Sequence, residues 1–231
     1  MCSVKAKNNI SSQNLIFLAW LVYTTSYIGR VNYSANITQI IDFYTVTKAQ
    51  AGLVPTFFFF SYGMGQFVNG IFCKRYNIKW MVFTSLLVSG LINFTVALGT
   101  DFSIVKWLWM VNGILLSVLW PTLIRLLSEN LEQKQLGKSS VVMGTTVASG
   151  TLIIYALSSL YAALGNFKLS FFTAAILDIF VSVIWILRYN RVVCASSAKE
   201  KIFSPVDVAK NSCNTQKQSI YAAAQAWPRR P

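Results

Sequence analysis

The sequence predicts an all-α membrane protein with six transmembrane helices and both termini on the cytoplasmic side. Three observations carry this prediction: the low content of charged residues, the length of the apolar runs, and the placement of lysine and arginine. Only 12% of the 231 residues are charged and 55% are hydrophobic, whereas about 25% of an ordinary soluble domain is charged. A chain of this composition is poorly equipped to cover a water-exposed surface, which argues against a cytosolic enzyme.

Six apolar runs are long enough to cross a hydrocarbon core, which needs about 20 helical residues. The runs are Leu15–Ile41, Ala49–Phe72, Trp80–Leu98, Ser103–Leu127, Ser139–Leu164 and Lys168–Leu187. They predict a membrane domain over residues 15–191, with a cytoplasmic N-terminal tail (1–14) before it. We expect the polar segment 192–231 to be a disordered cytoplasmic tail; a truncated or frame-shifted reading frame is the alternative origin of this segment.

Basic residues are distributed unequally between the two sides that the runs define. With the N-terminus in the cytoplasm, 16 of the 20 lysine and arginine residues fall inside and three fall outside. This asymmetry is the positive-inside signal of multi-pass membrane proteins. It predicts a protein of the plasma (inner) membrane, and it explains much of the net charge of +13 without a nucleic-acid partner.

The titratable residues argue against catalysis. The chain has no histidine and only seven acidic residues, so the usual metal ligands and general bases are scarce. We therefore expect no enzyme activity, no cofactor and no metal.

Arg30 is unexpected near the middle of the first run, because a charge at the bilayer centre is costly and should face protein or water. Polar residues near it in the sequence include Tyr23, Tyr27, Asn32, Ser34 and Asn36. Tyr23, Tyr27 and Arg30 are spaced i, i+4, i+7 and share one helix face, which the two asparagines are expected to widen. Two interpretations remain open: an anion-binding or translocation site, or a structural role in which Arg30 snorkels or pairs with an acid such as Asp178 of the sixth run.

The second run repeats this spacing. Tyr62, Gln66 and Asn69 lie at i, i+4, i+7, while Gly63 and Gly70 are expected to allow close helix approach. These polar residues either line a cavity that faces the first run or make ordinary interhelical hydrogen bonds. In the fourth run, a proline after Trp120 is expected to kink the helix and free a backbone carbonyl.

The spacing of these residues resembles a known family. The motifs are Tyr23-x3-Tyr27-x2-Arg30-x-Asn32, Tyr62-Gly63-x2-Gln66-Phe67-x2-Gly70 and Asn112-Gly113-x6-Trp120-Pro121-x3-Arg125. Over about residues 15–190 they are similar to the N-terminal half of the organophosphate:phosphate antiporters. This branch of the major facilitator superfamily holds the bacterial glycerol-3-phosphate and hexose-phosphate carriers.

The resemblance implies a fold and a site. The fold is one major-facilitator half, built from two three-helix groups that are related as inverted repeats. By resemblance, Arg30 matches the first-helix arginine that binds substrate phosphate, and Tyr23, Tyr27 and Tyr62 are its aromatic neighbours. Trp120 matches a tryptophan that lines the same cavity, and Gln66 stands one turn after Tyr62.

Three departures from the family pattern concern charge. Gln66 replaces a lysine, the loop after the second helix reads Gly70-x3-Lys74-Arg75 instead of Gly-x3-Asp-Arg, and the segment 144–147 lacks the histidine of the glycerol-3-phosphate carrier. Two cations suit a phosphate dianion better than one. These departures favour an organic anion of lower charge or a neutral polar solute.

The chain supplies one of the two halves that carriers of this superfamily use for alternating access. The expected partners are a small anionic solute, the lipid bilayer and a second six-helix half. That half comes from the rest of a longer protein, which we favour, from a second copy or from a separate chain. The predicted function is a secondary transporter, or its N-terminal half, that moves a small anionic organic solute, with an organophosphate exchanged for phosphate as one candidate. The alternative is a transport-inactive half with a receptor-like or structural role.

Overall fold

The computed structural model describes residues 2–72 and 77–197, and every regular element in these two ranges is an α-helix. The helices are α1 (Cys2–Ala35), α2 (Ile37–Tyr44), α3 (Lys48–Phe72), α4 (Ile78–Ala97), α5 (Phe102–Ser117), α6 (Leu119–Asn130), α7 (Gln133–Ala163) and α8 (Lys168–Ser197). The predicted all-α architecture is therefore confirmed for this part of the chain.

The helices correspond to the six predicted runs, with α1 and α2 forming the first run and α5 and α6 the fourth. Four segments are long and apolar enough to cross a membrane: Ile78–Ala97, Phe102–Asn130, Gln133–Ala163 and Lys168–Val193. The first two runs carry Arg30 and Gln66 and are not among these four. Six spans and cytoplasmic termini therefore remain predictions.

The sequence predicted one helix for the first run, but this prediction is wrong. The helix is interrupted at Asn36, between α1 and α2. The Asn36 side-chain amide donates to the backbone carbonyl of Asn32 at 2.7 Å and to the hydroxyls of Ser158 and Ser170, both at 3.0 Å. A side chain that bonds backbone groups competes with regular helix geometry. Contacts with α7 and α8 thus place the break.

The fourth run is also divided, with Val118 between α5 and α6. Pro121 explains the position, because a proline has no N–H for the carbonyl four residues earlier, here Ser117, and its ring crowds that carbonyl. Helical bonding resumes with the Thr122 N–H, which donates to the Val118 carbonyl at 3.2 Å. The predicted disturbance by Pro121 is confirmed: Val118 alone separates the two helices, and its backbone stays in the right-handed helical region with φ −77° and ψ −20°.

Three helices extend beyond the predicted apolar runs. α1 begins at Cys2 instead of Leu15, α7 begins at Gln133 instead of Ser139, and α8 continues through Ser197. Apolar length marks the part of a helix that suits lipid, whereas the backbone can continue its helix into the polar zone beyond. Residues 192–197, which the sequence assigned to the tail, belong to α8, and residues 198–231 lie outside the described part of the chain.

Glycines set the close crossings between helices. A Cβ at Gly113 of α5 would lie 2.5 Å from the Phe58 carbonyl oxygen of α3, and a Cβ at Gly65 would clash with Ser117. Gly63, in contrast, faces open space, so the predicted close approach at this residue is wrong. The α3–α5 contact uses the helix face two residues further along.

The helix pairing is consistent with two related three-helix groups. α1 of the first run packs on α7 of the fifth run, and α5 of the fourth run packs on α3 of the second run. In both cases the first run of one group contacts the second run of the other group. The leading run of each group is the interrupted one. This pattern is what inverted repeats produce, and their superposition by a pseudo-two-fold axis remains a prediction.

Candidate functional site

Arg30 lies at the centre of an aromatic cluster formed by α1 and α3. Its guanidinium carbon is 4.0 Å from the ring centre of Tyr27, 5.2 Å from that of Tyr62 and 5.8 Å from that of Phe58. Tyr27 is one turn before Arg30 on α1, while Phe58 and Tyr62 are one turn apart on α3 and their rings stack at 5.9 Å. The cation therefore rests on ring faces, where cation–π attraction stabilises it away from water.

Tyr23 connects this cluster to α6. Its ring centre is 5.3 Å from that of Tyr27 and 4.9 Å from that of Trp120. Tyr23 is buried, whereas Trp120 is half-buried at the start of α6, just after the helix break.

Gln66 completes the group of six predicted residues. Its side-chain amide donates to the Tyr62 hydroxyl at 2.9 Å. Because the Tyr62 oxygen accepts this bond, its own O–H remains available as a donor. The structure therefore brings together Arg30, Tyr23, Tyr27, Tyr62, Gln66 and Trp120, and the assignment of this cluster to a substrate remains a prediction.

Among the described residues, no carboxylate lies within 4 Å of Arg30. The ion pair that the described residues form is elsewhere, in α6, between Arg125 and Glu129 at 2.7 Å. Asp178 lies beside Gly29, where an added Cβ would clash with its carboxylate, and it accepts from the Ser89 hydroxyl at 3.0 Å. The structure does not form the Arg30–Asp178 pair that the sequence left open. The positive charge of the cluster is thus not neutralised by an acid of this part of the chain.

The two asparagines of the first run belong to a different site. Asn32 donates to the side-chain oxygen of Asn93 at 2.8 Å, and Asn93 donates to the carbonyls of Gly29 and Ser89 at 3.1 and 3.0 Å. Asn36 continues this network toward α7 and α8, as described above. The expectation that these asparagines widen the Arg30 face is wrong, because they face α4, α7 and α8.

Asn69 also leaves the predicted face, because its amide donates to the Ser117 hydroxyl at 3.1 Å. It makes an interhelical bond between α3 and α5, one of the two roles considered for it. The surroundings of Gly70 are outside what the structure describes, so the close approach expected there stays a prediction. The loop with Lys74 and Arg75 also lies outside the described residues.

Two residues in or near the cluster, Phe58 and Trp20, were not predicted from the sequence. Phe58 stands in a run of four phenylalanines, so its position four residues before Tyr62 was the only signal. Trp20 donates its indole N–H to Thr145 at 3.0 Å. This bond joins α1, one turn before Tyr23, to the α7 segment in which the resembled family carries a histidine.

The cluster is partly open. Arg30, Tyr27, Tyr62, Gln66 and Trp120 are all half-buried. An arginine has five N–H donors in a planar fork that fits carboxylate and phosphate groups. A cation held by aromatic faces and flanked by phenol, amide and indole groups can bind one anionic group and an attached polar body.

Comparison with known proteins agrees with this architecture. The chain is 24% identical over 187 residues to the Salmonella typhimurium "Membrane sensor protein UhpC", which covers 80% of this chain and 42% of that protein. It is 23% identical over 185 residues to a "Probable hexose phosphate transport protein" of Chlamydia pneumoniae, covering 80% of this chain and 41% of that protein. The human "Sugar phosphate exchanger 3" is 30% identical over 122 residues, which cover 50% of this chain and 22% of that protein.

A solved structure has the same fold. It is a bacterial homolog of the human lysosomal transporter Spinster, in an inward-facing and unoccupied conformation. The superposition has a TM-score of 0.67 at 15% identity and covers 77% of this chain and 43% of the other. This chain thus spans about two fifths of the length of the Salmonella and Chlamydia relatives. The model of the Major Facilitator Superfamily matches residues 19–222, and the chain is an integral membrane protein that belongs to this superfamily.

Proposed function

We propose that this chain is the N-terminal half of a secondary transporter that moves a small anionic organic solute by alternating access. The observation that carries the proposal is the Arg30 guanidinium, which is stacked on Tyr27 and has no acidic partner among the described residues. A positive charge without an acidic partner is costly inside a membrane. An anionic solute that enters the site would supply the missing partner.

The aromatic surroundings suit such a role. The Arg30 guanidinium carbon lies over the rings of Tyr27, Tyr62 and Phe58. A guanidinium carries five N–H donors in a planar fork, and a ligand can accept from them. A charge-assisted bidentate bond made there is stronger than a neutral hydrogen bond. The arrangement favours recognition of a phosphate or carboxylate group.

An organophosphate exchanged for phosphate is the first candidate. The names of the Chlamydia and human relatives, with hexose phosphate transport and sugar phosphate exchange, support it. Gln66 contributes an amide and no second positive charge to the cluster. We therefore propose a singly charged anionic group as the form that this half binds.

A second six-helix half is proposed as the partner of this chain. Arg30, Tyr62, Gln66 and Trp120 are half-buried, so part of their polar surface is left for something to cover. Lipid is a poor cover for a cation, whereas the facing half of a carrier would enclose the site near the bilayer midplane. We place both termini in the cytoplasm and the protein in the plasma (inner) membrane, on the positive-inside distribution.

The test is uptake and phosphate counterflow in proteoliposomes that contain this chain together with its C-terminal half. The panel is glucose 6-phosphate, glycerol 3-phosphate, a small carboxylate and inorganic phosphate. We expect Arg30→Gln to abolish uptake of the preferred anion, while Arg125→Gln, which removes a charge already paired with Glu129, leaves most of it. Normal uptake by Arg30→Gln would refute the substrate role of this arginine.

A receptor-like role is the second candidate, and one relative favours it by its name, "Membrane sensor protein UhpC". Such a protein would keep the anion site without completing a transport cycle. The two functions differ in one measurement. Saturable binding that Arg30→Gln abolishes, without counterflow by the assembled wild-type protein, would identify the receptor.

A further inference from the structure

A groove opens between α1 and α8, away from the Arg30 cluster, with a volume of about 590 Å³. Its walls are apolar and come from both helices: Phe17, Leu18, Leu21, Ile184, Leu187 and Val192. Leu187 is 66% exposed and Phe17 is 60% exposed. The volume falls within the roughly 300–1,000 Å³ of small-molecule sites.

The groove lies where two apolar runs end. Asn14 directly precedes the run that begins at Leu15, and Arg188 directly follows the run that ends at Leu187, and both residues line the groove. The ends of apolar runs mark the boundary between hydrocarbon and headgroups. The apolar walls therefore lie at the depth of acyl chains, and the polar end lies at the depth of phosphates.

The polar end is positively charged. Arg188 is exposed and has no carboxylate within 4 Å among the described residues, and Arg191 is exposed one turn further along α8. The eight residues that line the groove include no acid. A basic pocket between transmembrane helices at this depth is complementary to the phosphate of an anionic lipid.

We propose that this groove binds one anionic phospholipid, with an acyl chain between α1 and α8 and the phosphate on Arg188. The occupant is a lipid rather than a soluble phosphate because six of the eight lining side chains are apolar. Burial of acyl CH₂ groups supplies affinity that a free phosphate lacks. The site is independent of the proposed transport function, because it shares no residue with the Arg30 cluster.

The test is photolabelling of the purified full chain in lipid nanodiscs. Phosphatidylglycerol and phosphatidylcholine that carry the same diazirine acyl chain are compared, and labelled peptides are mapped by mass spectrometry. We expect phosphatidylglycerol to label the α1 and α8 segments around Leu21 and Ile184 more strongly. The loss of one basic residue near the membrane surface corresponds to about a fivefold change in affinity, so Arg188→Gln should lower the phosphatidylglycerol preference about fivefold.

Two further variants separate charge and shape from folding. Lys79→Gln removes a positive charge at the start of the neighbouring helix α4, outside the groove. This variant should leave the preference for phosphatidylglycerol unchanged. Leu187→Trp places an indole at an exposed position of the groove and should reduce labelling by both lipids. Equal labelling by the two lipids, an unchanged preference in Arg188→Gln, or absence of label from both groove segments would overturn the proposal. The last result would mean that another occupant, such as the chain's own residues 198–231, fills the groove.

Discussion

Replacing Asn93 with leucine tests how α1 is held against α4. The buried Asn93 side chain donates to the carbonyls of Gly29 and Ser89 and accepts from the Asn32 amide. Leucine has a similar volume, so the change removes three hydrogen bonds without opening a large cavity. Two of these bonds, to Gly29 and from Asn32, cross between α4 and α1. Interhelical hydrogen bonds in membranes are worth about 0.6 kcal/mol each on average, so we expect the unfolding free energy to fall by about 1 kcal/mol.

The measurement is reversible unfolding of the chain in mixed detergent–lipid micelles. Thr84→Ala is the matched control, because Thr84 is exposed on the same helix and its hydroxyl bonds carbonyls of its own helix. Its expected effect is below about 0.5 kcal/mol. A double variant with Asn32→Leu should lose less than the sum of the single variants, since both remove the same bond.

The reasoning fails if Asn93→Leu unfolds like Thr84→Ala. It also fails if the Asn32 and Asn93 effects are additive, because the 2.8 Å bond between them would then contribute no coupling energy. Either result would mean that apolar packing alone positions α1 beside α4.

Three further changes test other contacts by the same unfolding measurement. Arg30→Ala should lower stability by about 1–2 kcal/mol through loss of cation–π contacts, and adding Asp178→Asn should not restore it; recovery would revive the rejected ion pair. Gly113→Leu should cost at least about 1–3 kcal/mol because its side chain meets the α3 backbone, and a neutral effect would contradict the close crossing. Tyr33→Phe should cost about 1 kcal/mol, because the Tyr33 hydroxyl donates at 3.1 Å to the Ala51 carbonyl, whose usual N–H partner is replaced by a proline; wild-type stability would show that this carbonyl needs no donor.

Helix positions were predictable because apolar length is a local property of the sequence. The second run was predicted as Ala49–Phe72 and α3 spans Lys48–Phe72. The break at Val118 was also predictable, because the ring and the missing N–H of Pro121 disturb a helix locally. The break at Asn36 was not, because its partners Ser158 and Ser170 are more than 120 residues away in the chain.

The Arg30 cluster was predicted through spacing, but the limits of its face were not. Residues one or two positions apart on a helix point in directions about 100° or 200° apart, so Asn32 is directed away from Arg30. Asn93, which binds Asn32, stands in a run whose other residues are mostly apolar or small, and spacing gave it no role. Residue spacing shows which side chains share a helix face. It does not show which neighbouring helix packs against that face, because this depends on tertiary structure.

The aromatic setting of Arg30 has a consequence for how solute binding should respond to pH. The six residues of this cluster include no histidine and no carboxylate. A phosphate ester gains its second negative charge near pH 6, whereas a carboxylate is already singly charged above about pH 5. The pH profile of binding would therefore report the ionisation of the solute: a change near pH 6 would identify a phosphate ester, and a flat profile above pH 5 would identify a carboxylate.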